Sequence, residues 1–191
     1  MQLTGLNTNV LGRNFIYYEK IDSTQNRIWK LYEEDAPSGT LVMADKQTNG
    51  IGTHGRVWHT DEENNIAISI LIKTDCEVSK TDGLTIEIAR IIVKIMKEKY
   101  NVSLNIKEPN DLVYNGKKIG GILTQSKVVK STVKCLIIGI GINTMQQVFA
   151  EDIKDIATSI KNEFNVEINS KEFIAEFCNV FEKELKKCKI M

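Results

Sequence analysis

"KEPNDLVYNGKKIGGILTQ", residues 107–125, places two apolar-rich runs on either side of an Asn115-Gly116 pair. Asn-Gly between such runs is a strong signal for a two-residue hairpin turn, because both turn positions adopt positive φ. The stretch therefore predicts strands over residues 112–114 and 118–126 that are joined as a hairpin.

The segments around this hairpin predict a sheet with flanking helices. Apolar and β-branched runs predict strands over residues 15–19, 40–45, 66–72 and 134–140, with a short one near Leu104. Apolar residues at helical spacing predict a helix over residues 79–99 and a shorter one after the potential N-caps Asp22 and Ser23. Asn169 and Glu172 form a capping pair before a closing helix that reaches about residue 187. The fold class that follows is α+β, with a mixed β-sheet flanked by helices.

The composition is that of an ordinary folded domain. The 191 residues are 42% hydrophobic and 26% charged. The 25 basic residues balance the 25 acidic residues, so no broad basic field is available to hold nucleic acid or an anionic membrane.

Cysteine spacing and apolar runs narrow the class of protein further. The four cysteines show no paired spacing, which disfavours a zinc site or a disulfide framework. The apolar runs are too short to span a bilayer, and the first residues do not resemble a signal peptide. These features predict a cytoplasmic protein with neither nucleic acid nor membrane among its partners.

A second stretch, "QTNGIGTHGRVWHT" at residues 47–60, holds three glycines within six residues and both histidines of the chain. It is either a flexible hairpin loop or an anion-binding loop, in which glycines let backbone amides approach a phosphate closely. In the second case Arg56 would add a forked, permanently charged donor, and Trp58 would add an apolar wall for a flat ligand. The pattern alone leaves both interpretations open.

Lys118 and Asn143 are two further polar residues that stand out. Lys118 lies beside Gly120-Gly121 in a strand predicted to be buried, where lysine is rare, although a solvated lysine pair explains it as simply. Asn143 closes a Gly-x-Gly-x-Asn strand, which is either an ordinary strand end or a fixed polar ligand group.

Five motifs, in the order in which they occur, resemble the catalytic domain of biotin protein ligases, also called biotin–[acetyl-CoA-carboxylase] ligases. The motifs are Ile21-Asp22-Ser23-Thr24-Gln25-Asn26, Gln47-Thr48 with the glycine stretch and Trp58, Lys107-x-Pro109-Asn110-Asp111-Leu112, Lys117-Lys118-Ile119-Gly120-Gly121-Ile122-Leu123, and Gly139-Ile140-Gly141-Ile142-Asn143. The resemblance extends over residues 11–187 and implies the class II synthetase-like fold of the biotin/lipoate ligase superfamily.

The resemblance implies a two-step reaction with biotin and Mg²⁺-ATP. The carboxylate of biotin attacks the α-phosphate of ATP, which gives biotinyl-AMP and pyrophosphate. A lysine of a biotin carboxyl carrier protein then takes the biotinyl group and releases AMP. Because two anions meet in the first step, such a site must neutralise charge and fix geometry.

The same resemblance assigns roles to individual residues. The catalytic residues would be Arg56 and Lys118. Lys118 would bridge the biotin carboxylate and the α-phosphate. The biotin site would consist of Ser23, Thr24, Gln47, Gly50, Gly52, Trp58, Lys118, Gly120 and Gly121. The ATP site would consist of Thr53, His54, Arg56, Lys107, Asn110, Asp111 and Asn143, with Asp111 as a ligand of Mg²⁺.

The glycine stretch departs from the family pattern Gly-Arg-Gly-Arg-x-Gly-Arg. Ile51 and Thr53 stand where arginines are usual, and Glu108 replaces the usual tryptophan before Pro109. The missing cation at Thr53 is expected to weaken phosphate contacts by about 1.5–3 kcal/mol, the worth of a charge-assisted hydrogen bond. Two alternatives therefore stay open: a lipoate- or octanoate-type acyl ligase or transferase, and a catalytically weakened biotin-binding protein.

Residues 1–191 are expected to form a single catalytic domain. About a dozen residues precede the first predicted strand, so no DNA-binding domain is expected there. The small C-terminal β domain common in these ligases is also expected to be absent. An exposed sheet edge could support a homodimer.

Overall fold

The computed structural model describes residues 3–60 and 65–191, and within these ranges it forms one eight-stranded sheet with helices on both faces. The strands are β1 (Phe15–Ile21), β2 (Leu41–Ile51), β3 (Val57–Thr60), β4 (Ile66–Glu77), β5 (Asn105–Lys107), β6 (Asp111–Tyr114), β7 (Lys117–Val129) and β8 (Thr132–Ile142). The helices are α1 (Thr24–Glu33), α2 (Leu84–Tyr100), α3 (Ile160–Phe164) and α4 (Ser170–Lys187), and short 3₁₀ turns lie at Thr53–Gly55 and Val78–Thr81.

The sheet is mixed, as the sequence predicted. Its strand order is β1-β2-β4-β8-β7-β6-β5, and β3 pairs with the end of β2. β1 runs parallel to β2, whereas the β4–β8 and β7–β8 pairs at the centre are antiparallel. The α+β class is therefore confirmed.

The two faces of the sheet bury separate cores, because successive residues of a strand point to opposite faces. On one face, Ile70, Ile138 and their neighbours join α2 and α4 in the main core. On the other face, Leu71 and Ile137 pack with Ile28 of α1 in a smaller core. The short α1 covers only part of its face, which leaves the ends of the central strands beyond it available for a site.

Several local predictions are confirmed. Asn115 and Gly116 adopt φ values of 47° and 80° between β6 and β7, as the hairpin turn requires. Asn169 caps α4, since its side chain accepts a hydrogen bond from the backbone N–H of Glu172 at 3.2 Å. Ser23 is the N-cap of α1.

Several boundaries differ from the prediction; β4, for example, continues to Glu77 and does not end at residue 72. The strand expected over residues 40–45 continues as β2 to Ile51, and β3 pairs back onto it, so much of the glycine stretch is a bulged hairpin and not a loop. The helix expected from residue 79 begins at Leu84, because a 3₁₀ turn and Gly83 with φ of 75° precede it.

No helix in the described part of the chain is both long enough and apolar enough to cross a bilayer.

Candidate active site

Small residues in three paired strands create a hollow on the α1 face of the sheet. Gly141 of β8 lies between Ala67 of β4 and Gly121 of β7, and in the next row Gly139 pairs with Ser69. One row further on, larger side chains are covered by α1. The absence of bulk in the first two rows therefore opens a pocket just beyond the N-terminus of α1.

This inner pocket is lined by both polar and apolar groups. Its lining residues are Thr24, Gln25, Gln47, Ile51, Gly52, Thr53, Trp58, Ala67, Ile68, Ser69, Asn110, Lys118, Gly121, Ile122, Leu123, Gly139, Ile140 and Gly141.

The floor of the inner pocket is a buried hydrogen-bond network. The backbone N–H of Thr24 donates to Gln47 Oε1 at 2.8 Å, and the Thr24 hydroxyl lies 3.1 Å from the same oxygen. Ser69 Oγ lies 2.9 Å from Thr24 Oγ1 and 2.8 Å from Gln25 Oε1. Thr24, Gln25 and Ser69 are almost fully buried, so their polar groups are held in fixed positions.

The Trp58 ring closes the inner pocket from above. A Cβ at Gly141 would overlap this ring and lie 2.8 Å from its Nε1, so the residue must be glycine for the indole to lie there. With the ring in place the cavity volume is about 40 Å³, which is room for roughly three water molecules. The ring therefore fills the part of the hollow above Gly141.

Lys118 stands at the boundary of the pocket. Its Nζ lies 2.6 Å from Asp111 Oδ1 and 5.8 Å from the centroid of the Trp58 ring. Asp111 Oδ1 is buried and makes no hydrogen bond of good geometry with the described residues, so the ammonium group is its neutralising contact. The Lys118 side chain is 30% exposed, which leaves the cation accessible to a ligand.

A second, outer pocket lies on the other side of Trp58 and Lys118 and has a cavity volume of about 150 Å³. It is lined by Gly52, Thr53, Arg56, Val57, Trp58, His59, Lys118, Asn143, Gln146, Phe149, Ile153, Ile156 and Ala157. Val57 and Ile156 on its rim are 60% and 63% exposed. The outer pocket is therefore mainly apolar, with cationic groups where it meets the inner one.

Buried asparagines fix the segment after β8 that forms one wall of the outer pocket. Asn65 Oδ1 accepts hydrogen bonds from the backbone N–H groups of Thr144, Met145 and Gln146 at 2.9, 3.0 and 3.3 Å. Asn143 Nδ2 donates to the carbonyl of Thr158 at 3.2 Å. These bonds hold the chain across the mouth of the pocket without regular secondary structure.

The glycine turn forms the opposite wall. Arg56 Nη2 donates to Thr53 Oγ1 at 2.9 Å, and Arg56 Nε donates to the Thr53 carbonyl at 3.2 Å. His54 is exposed and has φ of 57°. The hydroxyl of Thr53 thus holds the Arg56 guanidinium at the outer pocket.

The structure brings together most residues expected in the two ligand sites. Thr24, Gln47, Gly52, Thr53, Trp58, Asn110, Lys118 and Gly121 line the inner pocket, and Arg56 and Asn143 line the outer one. Asp111 reaches the site through Lys118.

Six expected residues lie outside the lining of both pockets: Ser23, Gly50, His54, Lys107, Asp111 and Gly120. Ser23 is buried as the cap of α1, and Gly50 and Gly120 permit close backbone contacts, with Trp58 and with Gly141 respectively. Lys107 is exposed on β5, the last strand in the order, where its register partner is Asp111 of β6.

Sequence reasoning missed Gln25, Ser69 and the wall from Gln146 to Ala157 as site elements. Ser69 interrupts an otherwise apolar run, Ile66 to Ile72, which is a detectable signal. Gln25 begins the helical stripe that continues through Ile28 and Trp29, so its polar side chain on a buried face was detectable as well.

The side chains present fit a metal that arrives with a nucleotide. Within the described ranges, no three His, Cys, Asp or Glu side chains are grouped to hold a metal ion. Mg²⁺ usually binds through one or two carboxylates together with substrate phosphates. Asp111 supplies one such carboxylate next to Lys118.

The α+β domain thus holds two adjoining pockets that share Trp58 and Lys118. The sequence profile of the biotin/lipoate A/B protein ligase family matches residues 17–143, and the chain belongs to this family. The family resemblance of the five motifs is thereby confirmed.

Individual relatives agree with this assignment. The bifunctional ligase/repressor BirA of Bacillus subtilis (strain 168) is 41% identical over 181 residues, which cover 94% of this chain and 56% of that protein. The biotin–protein ligase of Homo sapiens is 27% identical, with 95% of this chain and 26% of that protein covered. The biotin protein ligase of Aquifex aeolicus, solved in complex with biotin and ATP, superposes with a TM-score of 0.75 at 29% identity, covering 92% of this chain and 71% of that one. The chain thus spans little more than half the length of the Bacillus relative.

Proposed function

We propose that this chain is the catalytic part of an ATP-dependent biotin–protein ligase, which forms biotinyl-AMP and transfers biotin to a lysine of a biotin carboxyl carrier protein. The observation that carries the proposal is the position of Lys118 between two pockets of different chemistry. The name of the human relative and the biotin and ATP in the Aquifex structure support the same substrates.

The geometry fits the charges of the first step. Biotin would lie in the inner pocket with its head group on the polar floor and its carboxylate towards Lys118. ATP would enter from the outer pocket, with its base against the apolar wall and its α-phosphate near Lys118 and Arg56. The ammonium group would leave Asp111 and bridge the two anions, because it is the cation shared by both pockets.

Mg²⁺ would offset phosphate charge when it is bound with ATP, and Asp111 would be the carboxylate that touches it. The chain's own residues then hold the reacting groups: the floor fixes the acid, and Lys118 screens the repulsion between carboxylate and phosphate. Trp58 would cover the anhydride and keep water away from it.

The polar floor favours biotin over lipoate or octanoate. An apolar acyl end against Thr24, Gln47 and Ser69 would gain no hydrogen bonds from these polar side chains. A site built for hydrogen bonding disfavours such ligands, because the spare acceptor lone pairs of the floor would lose water without gaining a donor. The ureido ring of biotin offers both donors and an acceptor to the same floor.

One assay separates the three alternatives. We expect ATP–pyrophosphate exchange that depends on biotin and not on lipoate or octanoate, followed by transfer of biotin to an apo carrier domain. Exchange with lipoate or octanoate alone would identify the related acyl ligase. Biotin binding without any exchange would identify a binding protein. The cytoplasmic location and the homodimer stay predictions.

A further inference from the structure

A chain of hydrogen bonds connects the floor of the inner pocket to Trp29 of α1 and Gln125 of β7. Trp29 Nε1 donates to Gln125 Oε1 at 2.7 Å, and Gln25 Nε2 donates to the same oxygen at 3.0 Å. Gln25 Oε1 in turn lies 2.8 Å from Ser69 Oγ in the pocket floor. Trp29 and Gln125 lie outside the pocket lining, so they reach a ligand only through Gln25.

The indole fixes the direction of every bond in this chain. An indole N–H donates and never accepts, so the Gln125 atom that faces Trp29 must be the carbonyl oxygen. Gln25 meets that same oxygen and must therefore present its NH₂ group to it. The carbonyl of Gln25 is consequently the atom that faces Ser69 and the pocket.

The absence of a side chain at Gly139 leaves room for the carbonyl oxygen of Gln25. A Cβ at residue 139 would lie 2.7 Å from Gln25 Oε1, which is too close for a carbon–oxygen contact. The amide of Gln25 is thus held from two sides: Gln125 binds its nitrogen, and the bare backbone of Gly139 accommodates its oxygen.

The same logic applies to the other side of the floor. The backbone N–H of Thr24 donates to Gln47 Oε1, so Gln47 also turns a carbonyl towards the pocket. Ser69 lies between Gln25 Oε1 and Thr24 Oγ1, with one hydroxyl hydrogen to share. Acceptor lone pairs therefore outnumber donors on this floor.

We propose that Trp29 and Gln125 are positioning residues that set the floor as a hydrogen-bond acceptor and so make the site select acids whose head group carries N–H donors. The proposal rests on the proposed function in that it takes the ureido N–H groups of biotin as these donors. Loss of the Gln125 carbonyl would let the Gln25 amide rotate and present its NH₂ group to the pocket. Two N–H donors would then face each other, and the ligand N–H would be repelled.

Two substitutions at one position test the direction of the chain. Gln125→Leu removes the double acceptor, whereas Gln125→Glu retains an oxygen that accepts from both Trp29 and Gln25. We expect Gln125→Leu to raise the calorimetric Kd for biotin about tenfold, the effect of one lost hydrogen bond. Gln125→Glu should restore binding to within threefold of wild type. In pyrophosphate exchange the change should fall on KM for biotin and not on kcat.

An N-methylated biotin distinguishes polarity from general damage. This analogue lacks a ureido N–H, so Gln125→Leu should weaken its binding much less than it weakens the binding of biotin. An equal loss for both ligands, or a Gln125→Glu protein as impaired as Gln125→Leu, would overturn the proposal. Trp29→Phe, which removes the donor that sets the direction, should reproduce the loss of discrimination.

The hydrogen-bond chain can be tested without biotin. The ¹H–¹⁵N signal of the Trp29 indole should shift in Gln125→Leu and remain near its original position in Gln125→Glu. If wild type binds no biotin while this signal behaves as expected, the proposed function fails and the direction of the chain stands. If the indole signal does not respond to Gln125→Leu, the proposal itself is wrong.

Discussion

The inner and outer pockets share Trp58 and Lys118 but are built in opposite ways. The inner pocket lies on three hydrogen-bonded strands, and its polar floor is buried and internally bonded. The outer pocket lies between a short turn at residues 52–56 and the irregular segment after β8, and its rim is apolar and exposed. A sheet holds polar groups to the tight tolerances that recognition of a small head group needs, whereas loops can open for a larger substrate.

Lys118 is shared by the inner and outer pockets, so its substitution should have the largest effect. We expect Lys118→Ala to lower biotin-dependent pyrophosphate exchange about 10³-fold, because removing a group aimed at developing charge typically costs 10²–10³ in rate. Thermal stability should fall as well and is measured in parallel, because the buried Asp111 Oδ1 loses its neutralising contact. Lys117→Ala is the matched control, because Lys117 is the exposed neighbour on the same strand. Similar exchange rates for the two variants would contradict the role of Lys118.

Gly139 and Gly121 separate binding from chemistry within the inner pocket. Gly139→Ala forces Gln25 out of place and should raise the Kd for biotin about 10- to 100-fold, the cost of leaving a buried polar group without its partner. A Cβ at Gly121 would meet the flexible end of Lys118, with Cε at 3.2 Å, so Gly121→Ala should act mainly on the exchange rate. Calorimetry and exchange assays on both variants measure the split. Equal effects on Kd would show that the inner pocket tolerates neither methyl group and that the floor has no special role.

Thr53 tests the outer pocket. A cation in Thr53→Arg should slow release of pre-formed biotinyl-AMP about tenfold, since a gained charge-assisted contact acts mostly on the off-rate. Thr53→Val is the control, because it removes the hydroxyl that holds Arg56 without adding charge, and it should speed release. Stopped-flow fluorescence of the tryptophans follows the release. If all three proteins release the adenylate at one rate, Arg56 or another group already supplies the charge.

A substitution at Glu182 should lower the stability of the fold and leave both pockets unaffected. Burial by itself would raise the pKa of this carboxyl, but the hydrogen bond from Lys186 and those from the backbone N–H groups of Asn9, Leu11 and Val10 lower the pKa to about 2. The carboxylate therefore contributes about 3 kcal/mol to the free energy of unfolding above pH 4.5. This contribution is lost as the pH falls from 4.5 to 2, because the folded pKa lies below the unfolded one.

Urea unfolding of wild type and Glu182→Gln between pH 7 and pH 2.5 measures this contribution. The stability gap between the two proteins should narrow as the pH falls, and biotin affinity at pH 7 should be equal. A gap that is constant with pH would mean that the carboxylate charge is not what holds residues 9–11 to α4.

Short-range sequence patterns, such as turns and helix caps, predicted most of the fold. The Asn115-Gly116 turn and the Asn169 cap are encoded within a few residues, and both are observed where the sequence predicts them. β3 was missed because its partner is the bulged end of β2, and the pairing depends on contacts that no single short segment reveals.

The candidate site shows the same difference between residues found in short motifs and residues placed by strand pairing. Lys118 and Trp58 lie in recognisable motifs, whereas the contribution of Ser69 depends on strand register, which places it next to Gly139. Lys107 was expected at the nucleotide; it lies on the outermost described strand, β5, with Asp111 of β6 as its register partner. Its role there stays a prediction.

The main chain of Lys118 is fixed by two hydrogen bonds to residues 156–158, which lie along one edge of its strand. Its N–H donates to the carbonyl of Ile156 and its carbonyl accepts from the N–H of Thr158, each at 2.8 Å. The ammonium group can therefore move only by rotation of its side chain, which takes picoseconds to nanoseconds, whereas the turn at residues 52–56 rearranges over nanoseconds to microseconds. If a phosphate binds here as proposed, Lys118 would exchange Asp111 for it faster than the turn moves, and the turn would limit how often a substrate is captured.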